Sequence, residues 1–225
     1  MEGDYLKAII FDMDGVIIDS EPLHFKLEKE LLEELGGKIT QEEHSTFVGT
    51  TDYHMWSTFK KQFGFKPSID EVMQIKKERF NKNIHKIELI DNFWDFFIKV
   101  YNEGYPLALA SSNNRETVDL IVEKFNLDKY LRVIMSGEDV KEGKPSPEIF
   151  LKTAEKLGIS PSDCIVIEDA RNGVLAAKSA GMKCIGLKSP NSGNQDLSKA
   201  DLVVNSFQDL DLDKSWLPEL GLFNP

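Results

Sequence analysis

The chain reads as an α/β protein: a doubly wound, mainly parallel sheet that carries an inserted all-helical domain. Three observations point there. From Ile90 onward, short apolar runs rich in β-branched residues alternate with helical patterns, the rhythm of successive strand–helix units. A further apolar run, Ala8-Ile9-Ile10-Phe11, stands alone near the N-terminus. Between residue 20 and about residue 88 the pattern is helical, with no convincing strand. Residues 1–18 and 91–225 are therefore expected to form one core, and 19–90 an insertion after its first strand.

Each element has a local reason. Ala8–Phe11 has the β-branched and aromatic bias of a buried strand. Leu23, Leu27, Leu31, Leu32 and Leu35 form a helical stripe ended by Gly36-Gly37. Thr40 with Glu43 has the form of a capping box. A third helical pattern runs from about Asp52 to Phe63 and closes at Gly64; a fourth opens at Ser68 and continues through Phe80 to Ile84. In the core, a helix with an aromatic face (Phe93, Trp94, Phe96, Phe97, Tyr101) ends at Gly104. Strands are expected at Leu107–Ala110, Val133–Met135, Cys164–Ile167, Cys184–Leu187 and Leu202–Val204, with helices at Glu116–Phe125, Glu148–Leu157 and Gly173–Ala180 between them. For Glu148–Leu157, Ser146 is the expected N-cap and Pro147 the first helical residue. Open sheets of this kind bind ligands beyond the carboxyl ends of their strands, the edge that an insertion after strand one would cover. The tail, 209–225, is acidic and shows no functional pattern.

Composition narrows the classes. The 225 residues are 41% apolar and 29% charged, ordinary for a globular protein. A net charge of −11 speaks against nucleic acid or an anionic membrane as partner, though a local site for a small anion is compatible with it. No apolar run approaches a membrane span, and Met1–Lys7 lacks the basic start of a signal peptide. Cys164 and Cys184 lie in apolar strand-like runs and read as buried thiols in a reducing cytoplasm. A cytoplasmic monomer acting on a small molecule is the expectation.

Polar residues gather at the strand ends. Asp12 and Asp14 are two residues apart after the first strand, so an extended chain points both to one side, and Gly15 lets the backbone turn. Two like charges so close call for a cation or a shared proton, and magnesium, an oxygen-seeking ion that bridges carboxylate to phosphate, is the plausible cation. A strand ending in a polar turn is the plainer reading. Ser111-Ser112-Asn113-Asn114 ends the second core strand before a helix, a place suited to an anion, or simply to an N-cap asparagine. Lys144 is held by Pro145 and Pro147 just beyond it; the alternative is a solvated lysine. Glu168-Asp169 closes the strand Cys164–Ile167, as metal ligands or as caps of the next helix. Two acid pairs, a hydroxyl and a pinned lysine at successive strand ends of one sheet are a poor coincidence.

The set Asp12-Met13-Asp14-Gly15-Val16, Ser111, Lys144-Pro145 and Glu168-Asp169 resembles the four motifs of the haloacid dehalogenase-like hydrolase superfamily, over nearly the whole chain from Lys7 to about Val204. The helical block resembles the small cap of its phosphatase and β-phosphoglucomutase branch. The resemblance implies a Rossmann-like core in which Asp12 is the nucleophile forming an aspartyl-phosphate and Asp14 the general acid and then base. It implies Mg²⁺ bound by Asp12, the Asp14 carbonyl and Asp169 with help from Glu168. Ser111, with Ser112 and Asn113 beside it, would bind the phosphoryl group, and Lys144 would offset the crowded negative charge. Dehalogenating members lack the second aspartate, so Asp14 favours phosphoryl transfer. All motif positions are intact, which speaks against a catalytically silent binding module.

The cap should set the substrate. Asp19-Ser20-Glu21-Pro22-Leu23-His24 resembles the hinge segment of sugar-phosphate phosphatases and mutases, which implies that Glu21 and His24 face the substrate; a surface position is the plainer reading of His24. In the mutases, a segment after a Val-Gly pair carries an arginine that grips the distal phosphate. Here Phe47-Val48-Gly49-Thr50-Thr51-Asp52 has Asp52 in that place, and Arg79 is the one arginine of residues 19–90. Lys76 or Lys77 would substitute only in part, since lysine lacks the two-pronged guanidinium. A phosphatase for a small phosphorylated metabolite, a sugar phosphate, is therefore expected. The alternative is a β-phosphoglucomutase interconverting β-glucose 1-phosphate and glucose 6-phosphate.

Overall fold

The computed structural model describes residues 8–47 and 51–210. Val48-Gly49, the segment Met1–Lys7 and the tail beyond Leu210 lie outside the described residues. Six strands form one sheet: β1 (Ala8–Phe11), β4 (Leu107–Ala110), β5 (Leu131–Met135), β6 (Cys164–Glu168), β7 (Lys183–Leu187) and β8 (Leu202–Val204). Their order is β5-β4-β1-β6-β7-β8, and every neighbouring pair is parallel. The first strand in sequence is thus central, with the ends of β4 and β6 on either side of its own.

The inner strands β1, β4 and β6 are apolar without alternation because both their faces are covered. On one face the larger side chains Ile9, Phe11, Leu107, Leu109, Ile165 and Ile167 pack beneath α5 (Phe93–Asn102) and α6 (Arg115–Phe125). Phe11 meets Phe93 and Phe97 edge-on, with ring centroids 5.7 and 5.5 Å apart. On the other face Ala8, Ala108 and Ala110 admit α7 (Glu148–Leu157) and α8 (Arg171–Ser179) at close range. Cys164 and Cys184 belong to this second layer as free, buried thiols.

Between β1 and α5 lie α1 (Glu21–Glu34), α2 (Gln41–Ser45), α3 (Asp52–Phe63) and α4 (Ile69–Asn83). The capping boxes at Thr40–Glu43 and Ser68–Glu71 are both formed, and Gly64 ends α3 with φ +67°. Leu31, Leu32, Met55, Trp56, Phe59 and Val72 give these helices a core of their own. They meet the sheet-bearing part along α6: Thr117 Oγ1 donates to Asn81 Oδ1 at 3.0 Å, and Lys77 pairs with Glu116 at 3.1 Å.

Two details depart from the sequence reading. A ribbon of two short antiparallel strands, β2 (Ile18–Asp19) and β3 (Glu88–Leu89), joins the chain's exit to its return, where no strand was expected. Two-residue strands are too short to show a period. And Pro147, not Ser146, is the N-cap of α7, with Ser146 Oγ accepting the Glu148 N–H at 3.4 Å. Among the described residues, no helix is long and apolar enough to cross a membrane.

Candidate active site

Asp12 follows β1 directly, and its N–H donates to the Ile167 carbonyl at 3.0 Å, which carries the β1–β6 ladder one residue further. Its side chain is thereby fixed beside the end of β6. A tight turn follows, in which the Gly15 N–H donates to Ile18 O at 2.8 Å. Gly15 has φ +72°, and a methyl group there would lie 1.9 Å from Asp169 Oδ2, so both conformation and space demand glycine.

Lys144 reaches into this cluster from the loop before α7. Its ammonium donates to Asp12 Oδ1, to Glu168 Oε1 at 2.7 Å and to the Ala110 carbonyl at 3.0 Å, which uses its three donors. Burial opposes that charge, but the Asp12 and Glu168 carboxylates outweigh it and hold the ammonium above its ordinary pKa. The other Glu168 oxygen accepts the backbone N–H groups of Asp169 and Ala170 at 3.0 and 3.1 Å. Gly173 leaves room for it, since a Cβ there would fall 1.7 Å from Glu168 Oε1. Ser192, on the loop after β7, donates to Asp169 Oδ2.

Asp12, Glu168 and Asp169 each offer an oxygen within 4.8 Å of the others, and all three are buried. Burial, with the charges of Glu168 and Asp14, pushes the Asp12 carboxyl up to about 8 despite Lys144. Burial, with Glu168 and Asp12, lifts Asp169 well above the carboxylate range. A surplus of buried negative charge built from hard oxygen donors fits a hard divalent cation. Glu168 has both oxygens engaged by the protein, which leaves Asp12 and Asp169 as the residues best placed to hold such an ion.

The Asp14 carboxylate sits differently. Ser20 Oγ donates to one oxygen and Asn113 Nδ2 to the other, each at 2.5 Å. It is therefore aimed by two neutral donors from different segments. Ser111 is fully buried, and its hydroxyl accepts the Asn113 N–H at 3.1 Å. Of the three residues expected at this strand end, Ser112 and Asn113 line the cavity and Ser111 stands behind them.

That cavity has a volume of about 540 Å³ and opens between the strand ends and the helices α1, α3 and α4. Glu21, His24 and Lys76, all expected to face it, do line it. A recess of about 170 Å³ extends from it between the helices. His24 stacks on Phe80 with centroids 4.3 Å apart, and its Nδ1 is buried without a protein partner. Burial and the nearby Lys76 push this imidazole down to about 4, so it is neutral. Burial pushes Glu21 up to about 7. Lys76 is buried between Glu28 Oε1 and Asp52 Oδ2, each at 2.7 Å. His44 Nε2 donates to the second Glu28 oxygen at 2.5 Å. Arg79 is outside this group, forked onto Glu34 at 2.8 and 2.6 Å, and Lys77 is the lysine that reaches α6.

Sequence reasoning missed Ser20, Glu28, His44 and Ser192 as members of the site. One signal was present: Glu21, His24 and Glu28 are spaced i, i+3, i+7 and share a helical face. Ser192 gave none, since its loop has no pattern and lies 23 residues beyond its partner Asp169.

A central strand that delivers Asp12 and Asp14 at its end, faced by a lysine and a buried acid pair from neighbouring strand ends, gathers hard oxygen donors and one cation at the mouth of a single cavity. Comparison with known proteins gives this arrangement its family. Residues 9–187 match the family model described as haloacid dehalogenase-like hydrolase. The phosphorylated carbohydrates phosphatase of Thermotoga maritima is 34% identical over 185 residues, 80% of this chain and 84% of that protein. The β-phosphoglucomutase of Bacillus subtilis is 30% identical over 216 residues, 92% of this chain and 93% of that one. Among solved structures, CbbY from Rhodobacter sphaeroides in complex with xylulose-1,5-bisphosphate superposes with a TM-score of 0.79 at 27% identity, covering 91% of this chain and 96% of that one. The chain belongs to the haloacid dehalogenase-like hydrolase family, in its branch of sugar-phosphate phosphatases and phosphoglucomutases, and is a phosphoric monoester hydrolase.

Proposed function

We propose that the enzyme hydrolyses a sugar phosphate or a similarly small phosphorylated metabolite through a covalent phosphoenzyme on Asp12. The observation that carries this reading is the difference between the two acids of β1's end: Asp12 is held by a lysine, Asp14 by two neutral donors. In the first step an Asp12 oxygen attacks phosphorus while the bond from phosphorus to the sugar oxygen breaks. Asp14 gives its proton to that leaving oxygen. In the second step Asp14 takes a proton from water as the water oxygen attacks phosphorus. The bond to Asp12 then breaks, and inorganic phosphate leaves. Lys144 opposes the protonation that burial favours at Asp12 and offsets charge on the phosphoryl oxygens, and Ser112 offers them a donor. Asp12 and Asp169 would hold Mg²⁺, with the Asp14 carbonyl and Glu168 contributing as the family resemblance implies, and the ion would neutralise phosphoryl charge when bound. The helices α1 to α4 act as a cap that keeps bulk water from the reacting group.

Phosphate release from a panel of sugar phosphates with magnesium tests this reading. Turnover by the native chain, and none by Asp12→Asn, is the expected result. The likeness to the Bacillus subtilis enzyme and the lysine in the cavity favour a second reading, a β-phosphoglucomutase. Conversion of β-glucose 1-phosphate to glucose 6-phosphate faster than phosphate release, given a bisphosphate primer, would establish the mutase instead.

A further inference from the structure

The recess between the helices is lined by charge of one dominant sign. Lys76 is its only lysine or arginine among the described residues, whereas Glu21, Glu28 and Asp52 all border it. The Lys76 ammonium lies 2.7 Å from both Glu28 and Asp52, so two carboxylates already neutralise it. The remaining titratable groups are Glu21, His24 and His44, with His44 Nδ1 3.7 Å from Glu21 Oε1. With Glu21 ionised and His44 neutral, three negative charges face one positive. With Glu21 protonated and His44 charged, the balance is zero. In no protonation state with a neutral His24 is the recess positive, and Asp14 borders its mouth with a further carboxylate.

What the recess offers instead is hydrogen bonding to neutral groups. Glu21 and Asp52 are acceptors for hydroxyl donors, and the Asp52 side chain is 44% exposed. The buried Nδ1 of His24 has no protein partner while its ring lines both the recess and the larger cavity. We infer that this half of the site selects phosphomonoesters whose far end is an uncharged polyol and rejects those carrying a second anion there. The inference rests on the hydrolase reading above and adds to it the chemical class of the group remote from phosphorus.

Two matched pairs test it: glycerol 3-phosphate against 3-phosphoglycerate, and xylulose 5-phosphate against xylulose 1,5-bisphosphate. In the first a terminal hydroxymethyl group becomes a carboxylate, and in the second a terminal hydroxyl becomes a phosphate ester. With magnesium present, kcat/KM for the neutral member should exceed that for its charged counterpart by about tenfold or more. Asp52→Asn should shrink that ratio severalfold, and Asp52→Arg should shrink it further. Because the ratio compares two substrates on one preparation, partial misfolding of a variant cancels. Equal or faster turnover of the charged members, or a ratio indifferent to both substitutions, would overturn the inference while leaving the hydrolase intact. No phosphate release from any member of the pairs or of the sugar phosphate panel would remove the hydrolase reading, and the inference with it.

Discussion

Two lysines face the same cavity, each between two carboxylates, and they are built in different ways. Lys144 lies among strand ends: its partners Asp12 and Glu168 are buried, and a backbone carbonyl takes its third donor. Lys76 projects from a helix to one buried partner, Glu28, and one half-exposed partner, Asp52. The first lysine is locked by backbone geometry, because every partner hangs on a strand or the residue after it. The second is held by side chains on two other helices, and one partner can be changed without opening the core. The contrast teaches that a fixed reaction and an adjustable preference can share one cavity when they draw on different kinds of support.

Substitutions can break this comparison. The largest effect is expected at Asp12: Asp12→Asn should lower kcat by at least about 10³-fold in a phosphate-release assay, since no other side chain replaces the nucleophile. Next is Lys144→Met, which leaves Asp12 and Glu168 buried without their cation. It should reduce kcat by about 10²-fold and cost roughly 3–5 kcal/mol of stability in chemical denaturation. Lys76→Met should cost less, about 2 kcal/mol, because Glu28 keeps His44 and Asp52 reaches water. It should also raise the preference for glycerol 3-phosphate over 3-phosphoglycerate, opposite in sign to Asp52→Asn. If Lys76→Met proves as damaging to stability and kcat as Lys144→Met, the two lysines are not different in kind.

The smallest effect concerns Glu21, whose carboxyl is raised to about 7 by burial. A group that binds its proton more tightly in the folded state favours folding below its unfolded pKa, and that contribution is lost as pH rises through 7. Glu21→Gln should therefore leave the melting temperature nearly unchanged at pH 4.5 and raise stability at pH 8 by about 1 kcal/mol.

Much of the core site was legible in the sequence because each residue sits where a periodic element stops. Asp12, Asp14, Glu168 and Asp169 follow apolar runs that only a strand explains, and Lys144 is marked by the prolines after it. The partners that aim these groups were not legible. Ser192 comes from a loop without pattern, and Ser20 looks like a boundary residue until Asp14 is seen to turn back toward it. Glu28 sits beside the leucine stripe of α1, where a charged residue reads as solvated; it is 4% exposed because Lys76 and His44 arrive from other helices to satisfy it. Burial of a charge is decided by its partners, and partners far away in the chain leave no local trace. The ribbon of β2 and β3 escaped for a different reason, since length rather than distance hid it.

That ribbon has an architectural consequence. Ile18 pairs with Leu89 and Asp19 with Glu88, so the chain departs and returns at neighbouring points. Whatever lies between them closes a loop whose ends are already tied, and loop-closure cost grows only slowly with the length enclosed. The register of β1 against β4 and β6 is set entirely outside that loop. The ribbon therefore works as a socket: a different helical module grafted between Ser20 and Glu88 would meet the same two anchor points and leave the hydrogen bond from Ser20 to Asp14 in place.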